Sequence, residues 1–298
     1  MAKKKMAHET FEKYFDVREK RHLKELVAAA LEEDIGSGDV TTAAIIPAKA
    51  QAKCRLMAKQ KGIICGLPLT EIALSLMTKK YKITWLAKDG DPVKPGQVLA
   101  EIEGPAVSLL EAERVLLNYL QRLSGIATLT HTFVEAVKPY KTAIMDTRKT
   151  TPLCRLLEKY AVSVGGGKNH RFGLYDQVLI KDNHIDVAGG IEEAIRKVRR
   201  KNSELMIEVE ARTLDEVKRA ITFRPEIILL DNMTPAQMKK AVDFVQGKAQ
   251  LEASGGVNLK TVSKIAATGV DRISIGALTH SAPAMDISLK IKVESRSK

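Results

Sequence analysis

Arg148, Lys149, His170, Arg171 and Lys181 fall within one stretch, Asp146 to His184, which reads DTRKTTPLCRLLEKYAVSVGGGKNHRFGLYDQVLIKDNH. Solvated charges on a helix face usually alternate in sign. These cations instead stand at the ends of apolar runs and beside a Gly-Gly-Gly loop, where side chains converge on a pocket. Like charges crowded together are costly without a counterion. The pocket therefore calls for a small ligand carrying several negative charges. His170 alone reads as an ordinary core or surface histidine, and its place between the glycine loop and Arg171 is what argues for a site. His184 reads as a cap for the segment that follows it.

Two carboxylates, Glu210 and Asp231, close successive apolar runs further along. Oxygen ligands without clustered Cys or His suit Mg²⁺ shared with a phosphate group. A general acid/base pair is the competing functional reading, and pairing with neighbouring lysines the structural one. Ser254-Gly255-Gly256 and Gly276 leave backbone N–H groups open to close approach, and such turns before a helix make an anion nest.

Elements of regular period must hold these residues. From Gly125 onward apolar strands end in polar or glycine positions at 143–146, 177–181, 206–210, 227–231, 251–254 and 273–276, with helical stretches at 191–200, 213–221, 235–245 and 259–267. This βα rhythm is that of a β/α barrel, whose active site lies at the C-terminal ends of the strands. Charge at so many strand ends is the sequence's own argument for catalysis.

Before Gly125 the pattern differs. Residues 10–34 read as a helix with Leu23, Leu26, Val27, Ala30 and Leu31 on one face, stopped by Gly36 and Gly38, and 35–42 as a polar turn. Residues 50–103 read as a small antiparallel sheet with a helix inserted at 68–79. It has some look of a biotinyl or lipoyl carrier, without a convincing modifiable hairpin lysine. A helix over 108–123 carries Leu116, Tyr119, Leu120 and Leu123 on one stripe, with Arg114, Asn118 and Gln121 or Arg122 on another. Spacing alone makes Arg114 a solvated surface arginine. Ser124-Gly125 marks the expected boundary, giving domains 1–124 and 125–281 and a C-terminal piece, 282–298. The alternating tail at 285–293 is expected to return as a strand to the N-terminal sheet.

Composition sets outer bounds. The 298 residues are 45% hydrophobic and 28% charged, a globular balance long enough for one large or two moderate cores. No apolar run spans a bilayer, and the basic start MAKKKMAHETF lacks the apolar segment of a secretory signal. Three cysteines without metal or disulfide spacing fit a reduced, cytoplasmic protein. The net charge of +12 suggests nucleic acid, yet aromatics are only 4% and no nucleic-acid motif is present. That reading stays a minority one, and no nucleic-acid or membrane partner is expected.

The phrases EDIGSGDVTT, NYLQRLSGIAT, DTRKTTP, EKYAVSVGGGKNHR, LIKDNH, EVEAR, LLDN, EASGG and ISIGALTHS together resemble the quinolinate phosphoribosyltransferase family, from about Leu31 to Leu289. The resemblance implies an α/β fold, an open-faced N-terminal α/β sandwich plus an incomplete, seven-stranded-type β/α barrel. It also implies transfer of phosphoribose from phosphoribosyl pyrophosphate (PRPP) to quinolinate with loss of carbon dioxide, giving nicotinate mononucleotide, in a homodimer using Mg²⁺. In this family the arginine matching Arg114 reaches into the partner's site, which reverses the reading from spacing. Arg148, His170, Arg171 and Lys181 match the quinolinate-binding cations. Lys149, Glu210 and Asp231 match contacts to PRPP and metal, and Ser254, Gly255, Gly276 and His280 the phosphate edge. One departure is Leu153-Cys154, where many relatives place Gly-Leu. Such chemistry needs positioning and charge stabilisation rather than a protein nucleophile. The rival within the fold is a phosphoribosyltransferase with another acceptor, and the full cation set favours a dicarboxylate.

Overall fold

The structure, a computed structural model, describes residues 9–201 and 204–293. They form two compact units. One comprises the described residues up to Leu129 with Leu156–Gly165 and Ala282 onward, and the other Thr130–Arg155 with the described part of Gly166–Ser281.

In the first unit α1 (Val17–Ile35) buries Leu23, Val27 and Leu31, four residues apart on one face. Asp16 opens it with a reciprocal capping box, accepting from Glu19 N while Glu19 accepts from Asp16 N. The helix expected over 10–34 is therefore broken at Asp16, because a cap belongs outside the helix it starts. Asp39 likewise starts a short helix, α2 (Val40–Ile45), by accepting from Thr41 N and Thr42 N, where a plain turn was expected.

The sheet that follows has the order β12-β1-β5-β3, all antiparallel. Its members are β1 (Gln51–Ala58), β3 (Lys82–Trp85), β5 (Val98–Pro105) and the tail strand β12 (Ile287–Val293). In β1, Ala52, Cys54, Leu56 and Ala58 alternate with exposed residues, so one face is core and the other is open. Two short strands, β2 (Gly62–Ile63) and β4 (Pro92–Val93), pair beside it. Helix α3 (Leu67–Met77) has Pro68 in its first turn and is capped at a distance. The buried Asp89 carboxylate accepts from Gly66 N, Leu67 N and the Tyr160 hydroxyl. Burial raises the Asp89 pKa to about 6 despite those three donors.

Helix α4 (Ala106–Val137) extends the helix expected over 108–123, running unbroken through Ser124 and Gly125. Gly125 serves close approach, not termination: a Cβ there would lie 2.0 Å from Pro283 O. Ser124 Oγ accepts from Cys65 N and donates to Cys65 O, so its hydroxyl is spent on packing, not on ending the helix. Arg122 donates through Nε and Nη2 to Glu158 Oε1 and through Nη1 to Ala282 O. Glu158 and Tyr160 belong to α5 (Arg155–Val164), a helix the sequence reading left unassigned. From Leu156 it lies in the first unit, where Tyr160 packs edge-on to Phe11 and Tyr14.

The second unit is a parallel sheet in the order β6-β11-β10-β9-β8-β7. Its strands are β6 (Ala143–Met145), β7 (Val178–Ile180), β8 (Ile207–Ala211), β9 (Ile227–Asp231), β10 (Gln250–Ser254) and β11 (Arg272–Ser274). Between them lie α6 (Asp182–Ala188), α7 (Ile191–Lys201), α8 (Leu214–Ile221), α9 (Pro235–Val245) and α10 (Val262–Ala266), and α11 (Ala277–His280) follows β11. Six strands are laddered. A seventh position is reduced to one parallel bridge, Met145 with Lys168, beyond β6. Among the described residues the ring does not close, so the barrel is an open one.

Register decides which side chains share a face. Leu179 is level with Glu208, Glu210 with Leu229, Leu229 with Glu252, Asp231 with Ser254, and Glu252 with Arg272. Since side chains alternate along a strand, Glu208, Glu210, Asp231, Glu252, Ser254, Arg272 and Ser274 all point to one side. Val178, Ile180, Ile207, Val209, Ile228, Leu230, Leu251, Ala253 and Ile273 point to the other, the side the helices cover. Fully burying each large aliphatic there contributes about 1.5–3 kcal/mol. One face builds the core and the other builds the site.

Candidate active site

The cations at the start of the site hang on Asp146. Fully buried where β6 ends, it accepts from His170 N (2.7 Å) and from Asn169 Nδ2 (2.7 Å), and so fixes the corner after the glycine loop. Arg171 follows, buried, its Nη1 donating to Gln177 O at 3.2 Å. Burial lowers the Arg171 pKa, and the Arg148 charge nearby lowers it further, while Glu208 and Asp176 act against both. Two guanidiniums close enough to perturb one another are what an anionic ligand would relieve.

The His170 ring turns inward. Its Nδ1 accepts from Arg171 N (2.8 Å), leaving Nε2 as the protonated nitrogen. Nε2 lies 2.9 Å from Glu208 Oε2 and 3.5 Å from Glu252 Oε1. Both acids are fully buried. Burial first, then the charge of Glu208, lifts the Glu252 pKa to about 7, so one of these two carboxyls holds a proton near neutrality.

Lys181, Glu210 and Asp231 form a second group. Lys181 Nζ lies 3.5 Å from Glu210 Oε1, and Arg212 Nε lies 3.7 Å from Asp231 Oδ2. Arg212 also pairs with Asp182, whose pKa is lowered by the Asn183 backbone N–H and then by Arg212. The Lys181 and Arg212 side chains are half exposed and their contacts to Glu210 and Asp231 long, so these carboxylates are held loosely. Their hard oxygens on adjacent strand ends, with no thiolate or imidazole among them, fit magnesium. His184, in the first turn of α6, accepts through Nδ1 from the backbone N–H of the N-cap residue Lys181, so its side chain serves the start of the helix.

The third group gathers Lys149, Gly276 and His280. A Cβ on Gly276 would come within 2.9 Å of Lys149 Cδ and 3.2 Å of the His280 ring, so the three are in contact only because residue 276 is glycine. Thr279 Oγ1 ties the turn down by donating to Lys149 O (2.8 Å). Gly255, at φ +96°, is pressed by Asn232, whose Oδ1 would lie 2.1 Å from an added Cβ, and Ser254 O accepts from Asn232 N. Gly256 is the open one, with nothing within 4 Å of that position.

Arg114 is exposed on α4 in the first unit. A cavity of about 670 Å³ runs along the free edge of β7, with Arg171 and Gln177 at its polar end and Leu179, Val187 and Val198 along it. It excludes Glu210 and Asp231, and the chemistry belongs to the sheet face instead. Reading strand ends alone missed Glu208, Glu252, Gln177, Asn232 and Arg212. The trace of them in the sequence is EVEAR, where Glu208 stands two positions before Glu210, and LEAS, where Glu252 stands two before Ser254.

An open parallel α/β barrel with cations, carboxylates and glycine turns on one face defines an enzyme for anionic, phosphorylated substrates. Family models extend this. Residues 39–124 match the quinolinate phosphoribosyl transferase N-terminal domain and 126–290 its C-terminal domain. The chain belongs to the quinolinate phosphoribosyl transferase family. It is 45% identical over 292 residues to the chloroplastic nicotinate-nucleotide pyrophosphorylase [carboxylating] of Arabidopsis thaliana, covering 91% of this chain and 83% of that one. It is 42% identical to the probable Bacillus subtilis counterpart, covering 92% and 95%. The crystal structure of NadC from Streptococcus pyogenes superposes with a TM-score of 0.89 at 40% identity, over 92% of this chain and 97% of that one.

Proposed function

We infer that this chain transfers phosphoribose from PRPP to quinolinate and decarboxylates the product, yielding nicotinate mononucleotide, pyrophosphate and carbon dioxide for NAD biosynthesis. It is a pentosyltransferase, EC 2.4.2.19. The single observation that carries the reading is the pairing of this two-ended charged face with a family match over nearly the whole chain.

Arg148, Arg171 and Lys181, with His170 behind them, are assigned to the two carboxylates of quinolinate, for which guanidinium geometry is suited. Lys149, Ser254, Gly255, Gly276 and His280 are assigned to the phosphates of PRPP. Glu210 and Asp231 would hold Mg²⁺, which when bound supplies positive charge to the departing pyrophosphate. The C1′–oxygen bond to pyrophosphate breaks as the pyridine nitrogen bonds to C1′. The positive charge on the ring nitrogen then stabilises the electron pair that stays on C2 as carbon dioxide departs, and that carbon takes up a proton. Positioning and charge do this work without a covalent enzyme intermediate.

The working unit is a homodimer in which Arg114 serves the partner's site. Three free cysteines support a reducing, cytoplasmic setting, and no described helix is long and apolar enough to cross a membrane.

The test is a coupled assay with PRPP, Mg²⁺ and quinolinate, run beside nicotinate and nicotinamide. Nicotinate mononucleotide and carbon dioxide from quinolinate alone are expected. Product from another acceptor, or from none, overturns the reading.

A further inference from the structure

A closed circuit of hydrogen bonds begins and ends on Arg171. Its Nη1 donates to Gln177 O at 3.2 Å. The Gln177 side chain, buried, donates through Nε2 to Glu208 Oε2 at 2.9 Å. The same oxygen lies 2.9 Å from His170 Nε2. The His170 ring then accepts, at Nδ1, the backbone N–H of Arg171 itself. Four contacts thus tie the Arg171 guanidinium, through Gln177 O, and the Arg171 backbone, through His170, to one carboxylate with no solvent exposure.

We propose that Glu208 is a positioning residue for the acceptor end of the reaction, acting through His170 and Gln177 to hold Arg171, with Glu252 as the buried partner that keeps the cluster's charge low. The inference rests on the functional reading above. Two buried carboxylates beside one singly protonated imidazole carry too much negative charge unless one is protonated. Glu252 is the member that holds this proton, as its raised pKa supports. Arg272 Nη1, 4.0 Å from Glu252 Oε2, is the cation facing it from β11. Glu208 Oε2 is the acceptor that both Gln177 Nε2–H and His170 Nε2–H converge on. The alternative use of a His-Glu-Glu group whose ligand atoms all lie within 4.8 Å of one another is a metal centre. The circuit argues against it, because His170 Nε2 and Glu208 Oε2 already satisfy one another.

The test is a double-mutant cycle on Glu208 and Arg171, read by steady-state kinetics and by calorimetric binding of quinolinate. Glu208→Gln should raise KM for quinolinate by about tenfold to a hundredfold, the scale of a misplaced binding group, with KM for PRPP unchanged within about twofold. In an Arg171→Lys background the same substitution should cost far less, because the group it positions is gone. Additive losses, or equal shifts in both KM values, would overturn the proposal. So would a stoichiometric transition metal in the purified protein that Glu208→Gln removes. If Glu208→Gln does not fold by circular dichroism, Gln177→Met breaks the same circuit with no change of charge and carries the same expectation. Wild-type protein that binds no quinolinate strikes the functional reading and this inference with it. Wild-type binding that Glu208→Gln and Gln177→Met leave unaltered strikes this inference alone.

Discussion

Gly255 and Gly256 share a motif, and the structure gives them different jobs. Both have positive φ, so alanine at either position costs about 1–2 kcal/mol in a left-handed conformation. At Gly255 the new methyl also meets Asn232 Oδ1, whereas at Gly256 it enters open space. Gly255→Ala should therefore lower the melting temperature more than Gly256→Ala. It should also raise KM for PRPP, since Asn232 must leave its place at the end of β9. Gly256→Ala should show only the backbone cost in stability, with the smaller change in KM for PRPP. Parallel thermal melts and kinetics on the two variants check this.

Glu252 carries the pH prediction at the same scale. Folding raises its pKa from 4.5 to about 7, first by burial and then by Glu208, against the opposing influence of His170, the Ser274 hydroxyl and Arg272. The folded state thus holds this proton more tightly than the unfolded chain. The stabilisation is complete below about pH 4.5 and is lost as the pH climbs through about 7. Glu252→Gln keeps the shape and removes the titration. Its unfolding free energy should fall less than wild type's across that window, measured by urea denaturation at fixed intervals of pH. Parallel curves for the two proteins would show that another group titrates.

Among the elements, α4 tests whether a glycine inside a helix is a weakness or a fit. In an exposed helix, alanine gains about 1 kcal/mol over glycine. At 125 the added Cβ would lie 2.0 Å from Pro283 O, a backbone atom that cannot swing aside. Overpacking of this kind costs about 1–3 kcal/mol, so Gly125→Ala should be net destabilising in chemical denaturation. The helix does not end where the sequence suggests: Ser124-Gly125 has the chemistry of a helix end, and only the packed segment at Pro283 reveals its use. Helix α5 escaped for a related reason, since Glu158, Lys159 and Tyr160 are all buried and blur the polar stripe that marks a surface helix. Strand ends were legible because apolar runs stop there abruptly. The buried acids Glu208 and Glu252 were not, because their function depends on a neighbouring strand's register, which local sequence does not encode. Leu153 belongs here too. It stands at φ 64°, a left-handed conformation that favours glycine, which a leucine in the sequence gives no reason to expect.

At the level of the whole molecule, the question is where the complete cation set comes together. Arg148, Arg171 and Lys181 share one unit with the carboxylates, while Arg114 is exposed on α4 in the other. The proposed homodimer accounts for this if Arg114 completes the site of the second subunit, as a two-fold axis would require of both copies at once. Mixing two inactive proteins tests it. Arg114→Ala would lack the donated arginine, and Lys149→Ala would lack a residue of its own site. After unfolding and refolding together, half the dimers are mixed. If Arg114 crosses, each mixed dimer holds one site with both lesions and one with neither, so roughly a quarter of wild-type activity returns. If Arg114 serves its own subunit, every site in the mixed dimer carries one lesion and no activity returns. Recovery that rises and falls with the mixing ratio, peaking at equal amounts, would establish that the catalytic unit is the pair of chains. Flat inactivity at every ratio, with mixed dimers confirmed by mass, would assign Arg114 to its own subunit's site, and only an Arg114→Ala protein that is active by itself would return it to the solvated surface residue its spacing describes.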